Sequence, residues 1–342
     1  MQYKIIIILL FTILYQNNTY AKVTDKNEFN QKYLSNYFSA VLSANNQNNN
    51  KAIKFFNDSK FLIQKHDNFL KEYVFSLVLN GQVKKAIDQI KIPKNVNKSN
   101  FFEANLLSTL DSFKKKNYKQ VSKRLKKLEI YQDQGTYQFI IYKTLYDYNQ
   151  IFLNKKILPV NDNFGKLGII TNAFQSCYLN PKKINSNFIN LINSKDGDYS
   201  RYLFFYLSNV IENKEYEIAN EVASTIEPLS STLLINQAKN WIENKKYKKF
   251  KSYFSCKKET DVLAEFFFLI SNLFSSQDAY KESNFYLRVS NFLNPKFYFN
   301  LSLLVENYFL DENYEVSTEI LKNFNNKDEI YEWYKTKKIV QI

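Results

Sequence analysis

The stretch that decides the fold is residues 262–325, VLAEFFFLISNLFSSQDAYKESNFYLRVSNFLNPKFYFNLSLLVENYFLDENYEVSTEILKNFN. It contains two helix-turn-helix units of nearly equal length. Large side chains recur three and four residues apart in each unit, so they share one face of a helix. The turns fall at Ser275–Asp278 and Asp311–Asn313. Tyr280 and Tyr314 each open a second helix, and they lie 34 residues apart.

The same layout recurs along most of the chain. The second helix of each unit is predicted to begin about 34 residues after the one before it, or about three times that distance where the pattern is interrupted. The opening residues are Asn49, Val83, Tyr118, Tyr216, Tyr247, Tyr280 and Tyr314. One such helix pair cannot bury its apolar face alone, so neighbouring pairs must stack. The sequence therefore predicts a single solenoid of antiparallel helix pairs rather than two globular domains.

This pattern resembles the tetratricopeptide repeat (TPR), whose large, small and aromatic positions recur with a period of 34. The resemblance covers the chain from about Tyr33 onward. The layout is also similar to exported TPR proteins of Alphaproteobacteria, most closely over residues 37–90, 164–223 and 264–295. The resemblance implies an all-α fold, a TPR-like α-α superhelix of about nine helix pairs. It transfers no catalytic residue.

Two segments depart from the pattern. Over residues 154–168 it fades, which indicates either a degenerate repeat with a bend in the superhelix or ordinary sequence drift. Residues 328–342 carry Trp333 and Ile339 at helical spacing and predict a single unpaired final helix. Either this helix caps the array, or the chain is a shortened version of a longer repeat protein. We favour the second, which predicts an exposed apolar end that self-associates.

The N-terminus has the form of an export signal. One lysine, Lys4, precedes the unbroken apolar run Ile5–Leu14, and small Ala21 ends the polar stretch that follows. A spanning helix needs about 20 apolar residues, which this run does not reach. We expect a signal peptide at residues 1–21, cleavage after Ala21, and a periplasmic solenoid over residues 22–342. The alternative is an uncleaved inner-membrane anchor.

Composition fits a helical, basic chain. The 342 residues include only 5 Gly and 5 Pro, and the net charge is +14 with a pI near 9.3. Such a charge permits contact with nucleic acid or with an anionic component of the cell envelope. The basic residues are spread over every repeat, which favours solvated helix faces over one binding stripe. Export makes nucleic acid an unsuitable partner.

The sequence contains few groups suited to catalysis or metal binding. A zinc site needs about four N or S ligands, whereas the chain offers His66, Cys177 and Cys256. We therefore expect no metal, no cofactor and no enzymatic activity. A disulfide needs alpha carbons within about 7 Å. Because the two cysteines lie two repeats apart, and each repeat of a solenoid contacts only its neighbours, we expect two free, buried thiols.

The expected function is binding: a periplasmic scaffold or adaptor that holds a protein, a peptide or a glycan in its concave groove. The resemblance implies that outward-pointing residues of each first helix line that groove. These candidates are Arg201, Phe204, Ser208, Lys239, Phe268, Asn272, Phe299 and Phe309. The alternative is that these residues are ordinary surface residues of a basic solenoid and have no binding role, which would explain them equally well.

Two alternatives compete with a general scaffold. One is the helical-superhelix part of a cell-envelope hydrolase, as in lytic transglycosylases, although no compact catalytic domain follows in this chain. The other is a subunit of a polysaccharide or outer-membrane export system.

The export signal makes a direct prediction. N-terminal sequencing of the protein recovered from a periplasmic extract should begin at Lys22, because a small residue precedes the expected cleavage site. Recovery of a chain beginning at Met1 in the membrane pellet would contradict cleavage and favour the anchor.

Overall fold

The structure, a computed structural model, describes residues 30–92, 96–133, 136–159, 164–180, 186–194, 200–228, 230–324 and 328–342. The predicted signal peptide lies outside these residues. Throughout the described part, the regular elements are helices and none is a strand. Its α-helices are α1 Gln31–Asn45, α2 Asn49–Asp58, α3 Phe69–Leu79, α4 Val83–Ile90, α5 Phe102–Lys114, α6 Tyr118–Leu128, α7 Tyr137–Asn154, α8 Gly165–Leu179, α9 Ser186–Ile192, α10 Arg201–Glu212, α11 Tyr216–Ser224, α12 Leu233–Glu243, α13 Lys248–Tyr253, α14 Glu259–Ser275, α15 Tyr280–Leu293, α16 Phe299–Leu310, α17 Tyr314–Leu321 and α18 Glu329–Gln341.

Consecutive helices pack as pairs, which confirms the predicted all-α solenoid. The pairs are α1–α2, α3–α4, α5–α6, α8–α9, α10–α11, α14–α15 and α16–α17. Helices α12 and α13 contact each other through the rings of Trp241 and Phe250, whose centroids lie 5.3 Å apart. Of the predicted second helices, those at Asn49, Val83, Tyr118, Tyr216, Tyr280 and Tyr314 begin at the predicted residue, and α13 begins one residue after Tyr247. Helix α7 is followed by residues 155–159 without helix. Among the described residues, no helix is both long and apolar enough to cross a membrane.

One turn conformation is repeated along the solenoid. In seven hairpins a residue with left-handed φ lies two or three positions before the second helix, and these residues are Gln47, Gly81, Lys116, Lys214, Lys245, Asp278 and Glu312. The next N–H in each turn donates to the carbonyl five residues earlier, as Asn313 does to Tyr308 at 2.8 Å. This 6→1 bond is the Schellman ending of a helix. The repeat period seen in the sequence is therefore the spacing at which this turn recurs along the chain. Only Gly81 of the seven residues with left-handed φ is glycine.

Helix α14 is buried on every side over more than two turns. Residues 261–268 are eight consecutive buried positions, and they include three phenylalanines. A helix that is apolar all round lies inside a protein rather than on its surface. Its partner α15 is buried at eight positions. The α14–α15 hairpin therefore needs neighbours on more faces than adjacent repeats supply.

The N-terminal helices supply those faces. Helix α15 packs against α3 and α4, and α14 packs against α5 and α8. The rings of Phe75 and Phe285 lie 4.8 Å apart, and Lys114 Nζ donates to the carbonyl of Phe292 at 2.6 Å. The superhelix therefore winds back on itself, and its α14–α15 hairpin packs against helices far earlier in the chain. The expectation that each repeat contacts only its neighbours is wrong.

The same winding joins the two cysteines, which were expected to be free. Cys177 in α8 and Cys256 between α13 and α14 form a disulfide, with alpha carbons 5.7 Å apart. Because α14 crosses to contact α8, the loop before α14 reaches the end of α8. Beside the bridge, Tyr178 Oη donates to Glu259 Oε1 at 3.0 Å. The prediction failed because it assumed an open solenoid.

Loss of the disulfide should destabilise the fold strongly. The bridge closes a loop with a sequence separation of 79. Chain entropy for a loop of this length corresponds to about 4–5 kcal/mol at 25 °C. We expect a Cys177→Ser/Cys256→Ser variant to lose stability of this order in urea denaturation. Reductant should destabilise the parent protein but not the variant. Two titratable thiols in the parent protein, unfolded without reductant, would contradict the bridge.

Candidate binding cleft between α12 and α18

The structure distributes the eight predicted groove residues over several environments. Three of them, Phe204, Ser208 and Phe268, are buried, and Phe204 is 0% exposed. Phe204 packs among the rings of Trp241, Phe250, Tyr253 and Phe297 in the core. These three side chains cannot line an accessible groove. Their assignment as outward-pointing residues is wrong, because the helices and loops of the following repeats cover this side of α10 and α14.

Arg201 is part of an internal ion pair. Its Nε and Nη2 donate to the two carboxylate oxygens of Glu265 at 2.8 and 2.7 Å, and Nη2 also donates to Asn300 Oδ1 at 3.0 Å. The guanidinium lies 3.7 Å from the ring centroid of Phe268 and 4.8 Å from that of Phe299. Bidentate pairing of this kind fixes geometry as well as charge. Arg201 and Phe299 therefore join α10, α14 and α16.

The remaining candidates lie nearer the surface. Asn272 is exposed on α14. Phe309 is half-buried beneath Lys338, whose Nζ lies 4.2 Å from the ring centroid. Lys239 lies on α12 and faces a surface cleft that α18 completes. Of the eight candidates, Lys239 is the one that lines this cleft.

The final helix α18 folds back onto the solenoid. Asp328, just before its first residue, accepts hydrogen bonds from Trp241 Nε1 at 2.9 Å and Lys249 Nζ at 3.0 Å. Tyr331 is fully buried and its hydroxyl donates to Gln237 Oε1 at 3.1 Å. Burial raises the pKa of Tyr331 well above its ordinary value. These contacts attach the first turn of α18 to α12 and α13.

A second set of contacts attaches α18 to α16. Tyr334 Oη donates to Glu306 Oε1 at 2.8 Å, and Lys338 Nζ donates to the other oxygen of that carboxylate at 2.7 Å. Burial, and then the neighbouring Glu306 carboxylate, raises the pKa of Tyr334. The helix predicted at residues 328–342 is thus present, and it is docked on α12, α13 and α16.

The docked helix and α12 enclose a cleft of about 670 Å³. Its accessible surface is mostly apolar. The lining residues are Pro228, Ser231, Leu233, Asn236, Lys239, Asn240, Glu243, Glu329, Ile330, Trp333, Tyr334 and Lys337. Trp333 is 62% exposed, and Lys337 Nζ lies 5.3 Å from its ring centroid. A large exposed indole in an apolar cleft is typical of a partner surface.

Charged groups surround the apolar strip. Lys239 Nζ donates to the carbonyl of Ile226 at 2.7 Å and lies 3.7 Å from Glu243 Oε1. Glu329 and Lys337 are exposed on the opposite wall. The cleft therefore offers an apolar floor between two rims, each of which carries one acidic and one basic side chain. This arrangement can hold an apolar side chain and orient the polar groups on either side of it.

The buried acids are held in structural contacts. Burial raises the pKa of Asp261 to about 6, and its carboxylate accepts from the backbone N–H of Ser255 at 3.0 Å. Glu259 accepts from Tyr118 and Tyr178, both at 3.0 Å. Within the described ranges, no cluster of three His, Cys, Asp or Glu side chains is placed to bind a metal ion.

Sequence reasoning missed this cleft because it assigned binding to first helices along the whole groove. Trp333 was noted as an apolar residue of the last helix, but its spacing does not show whether the indole is covered. Comparison with known proteins gave no match to a family model, a curated protein or a solved structure.

Asp328 should control the docking of α18. An Asp328→Ala change leaves the Trp241 N–H without its acceptor in a buried position, at a cost of about 1–3 kcal/mol. We expect faster amide hydrogen exchange across residues 329–341 and a lower melting temperature. Glu329→Ala, one residue along and exposed, is the matched control and should change neither. Equal exchange in parent and Asp328→Ala would contradict this docking.

Proposed function

We propose that this protein is an exported, TPR-like scaffold without catalytic activity, which binds an extended segment of another protein in the cleft between α12 and α18. The observation that carries the proposal is the exposure of Trp333 inside a mostly apolar cleft of about 670 Å³. That volume lies within the range of specific ligand sites. The groove expected along the first helices is not used in the proposal, because Phe204, Ser208 and Phe268 are buried.

A polypeptide matches the cleft better than a glycan does. The floor presents Leu233, Ile330 and Trp333, which suit an apolar side chain. Asn240 lies on the α12 wall, and an amide side chain pairs with backbone N–H and C=O groups. A sugar ring can stack its C–H face on the Trp333 indole, but a glycan has no large apolar side chain to cover Leu233 and Ile330 as well. The occupant is therefore a segment with one large apolar residue flanked by polar ones.

The disulfide supports export. Structural disulfides persist in oxidising compartments such as the periplasm and are rare in the cytosol. Cys177 and Cys256 are both buried and bridged. This agrees with the signal-like sequence at residues 1–21. The two observations are independent, since one comes from the folded core and the other from the composition of the N-terminus.

The contacts of the buried charges support a role without catalysis. Glu265 is paired with Arg201 through two hydrogen bonds, and Glu259 is held by two tyrosines and by Lys116 at 3.2 Å. General acid or base catalysis requires a carboxyl group within reach of a substrate. These carboxylates instead join helices that are distant in sequence.

The test is a peptide-display selection on the mature protein, followed by affinity measurements by fluorescence anisotropy. Selected peptides should share one large apolar residue. Trp333→Ala should weaken their binding about 30-fold, the effect of losing a hot-spot side chain worth about 2 kcal/mol. Phe38→Ala is the matched control, because Phe38 is 64% exposed on α1 and does not line the cleft.

Two results would contradict the proposal. One is selected peptides whose affinity is equal in the parent protein and in Trp333→Ala. The other is Trp333-dependent binding of oligosaccharides in the absence of peptide binding, which would assign the cleft to a glycan.

A further inference from the structure

A polar cavity lies where the two ends of the superhelix meet. The turn between α1 and α2 contacts the turn between α16 and α17, and the side chain of Gln47 donates to Asp311 across this junction. The cavity beside it has a volume of about 320 Å³. Its lining residues are Asn46, Gln47, Asn48, Asn49, Asn50, Leu79, Asn80, Arg288, Tyr308, Asn313, Glu315, Val316, Glu319, Ile320 and Asn323. Amide side chains thus dominate its walls.

The Asn45–Asn50 run forms the turn between α1 and α2, and some of the asparagines around the cavity cap helices. Asn48 caps α2 by accepting from the N–H of Lys51 at 3.1 Å, and Asn313 caps α17 by accepting from the N–H of Val316 at 3.3 Å. Asn49 is buried, and its Oδ1 has no hydrogen-bond partner. Capping therefore accounts for some of these amides but not for their convergence on one cavity.

Arg288 is the positive charge of the cavity. Its Nε donates to the carbonyl of Leu79 at 3.1 Å, and the guanidinium also hydrogen-bonds Tyr308. These contacts account for two of the five N–H donors that a guanidinium carries. Burial lowers the pKa of Arg288. Among the residues that the structure describes, no carboxylate lies within ion-pair distance of it, although Glu319 is near enough to act on it electrostatically.

Arg288 is partly buried, and a charge that has lost part of its hydration is costly when no ion-pair partner compensates for it. Arg201 shows how this chain otherwise places a partly buried guanidinium: it is paired through two bonds with Glu265. Arg288 has no such carboxylate partner among the described residues and instead faces the polar cavity. An anionic group in the cavity would supply the missing charge, and a carboxylate matches the planar, forked geometry of a guanidinium.

We propose that this cavity binds a small polar carboxylate, with its carboxylate on Arg288 and its hydroxyl or amide groups against the asparagine walls. Each asparagine offers both donors and an acceptor, which suits a body rich in such groups. Both a sugar acid and a polar amino acid have this chemistry. The exposed Glu315 and Glu319 at the rim would favour the ammonium of an amino acid. The site shares no residue with the cleft between α12 and α18, so it stands apart from the proposed function.

The test uses pairs of probes that differ only in the carboxylate. Calorimetric titration of the mature protein compares glucuronate with glucose, and glutamine with glutaminamide. Binding of glucuronate but not glucose assigns the site to a sugar acid. Binding of glutamine but not glutaminamide assigns it to an amino acid. Arg288→Met should abolish binding of the carboxylate probe, and Asn80→Asp, which adds a negative charge to the wall, should weaken it at least tenfold.

Thermal melting of the ligand-free variants separates a ligand role from a structural one. Arg288→Met should lower the melting temperature only slightly, because it removes hydrogen bonds to two neutral groups, the carbonyl of Leu79 and the hydroxyl of Tyr308, and leaves no charged partner behind. Arg201→Met is the control, and it should melt lower because it leaves Glu265 unpaired. The proposal is overturned if neither carboxylate probe binds, if Arg288→Met binds the probe as well as the parent does, or if its melting temperature falls as far as that of Arg201→Met.

Discussion

The packing of the α14–α15 hairpin against the N-terminal repeats is the contact on which the rest of the structure depends. Residues 261–268 are buried on every side, which an open solenoid cannot achieve because it leaves one face of each helix to solvent. The faces that cover α14 come from α5 and α8, while α3 and α4 cover its partner α15. That packing also brings Cys177 to Cys256 and places Arg288 against Leu79. Closure of the superhelix therefore decides which surfaces remain for a ligand.

Local features were predictable from the sequence because each depends on nearby residues. The openings of the second helices at Tyr280 and Tyr314 follow from apolar spacing and from a turn that is repeated with little change. The pairing of neighbouring helices follows from the same spacing. These predictions hold even though six of the seven left-handed turn residues are not glycine, since the turn is stabilised by its backbone hydrogen bonds.

The winding of the superhelix was not predictable by the same means. A repeat pattern specifies how one pair contacts the next, whereas closure depends on small rotations that accumulate over many pairs. The accessible cleft and the polar cavity both involve helices that are distant in sequence, so no local motif marks them. One signal was present: the run VLAEFFFLI at residues 262–270 has no polar face, apart from Glu265. Such a run indicates a central helix and argues against an open groove.

The closed winding also affects the order in which the chain can fold. Stacked repeats with only neighbouring contacts can fold progressively as the chain emerges, one pair after another. Here the inward faces of α3, α4 and α5 remain uncovered until residues 259–293 arrive, about 145 to 190 positions later. Contacts of such high sequence separation slow folding and leave apolar surface exposed in the meantime. The N-terminal repeats therefore depend on the α14–α15 hairpin to complete their core. The regular repeat period of their sequence does not show that they fold on their own.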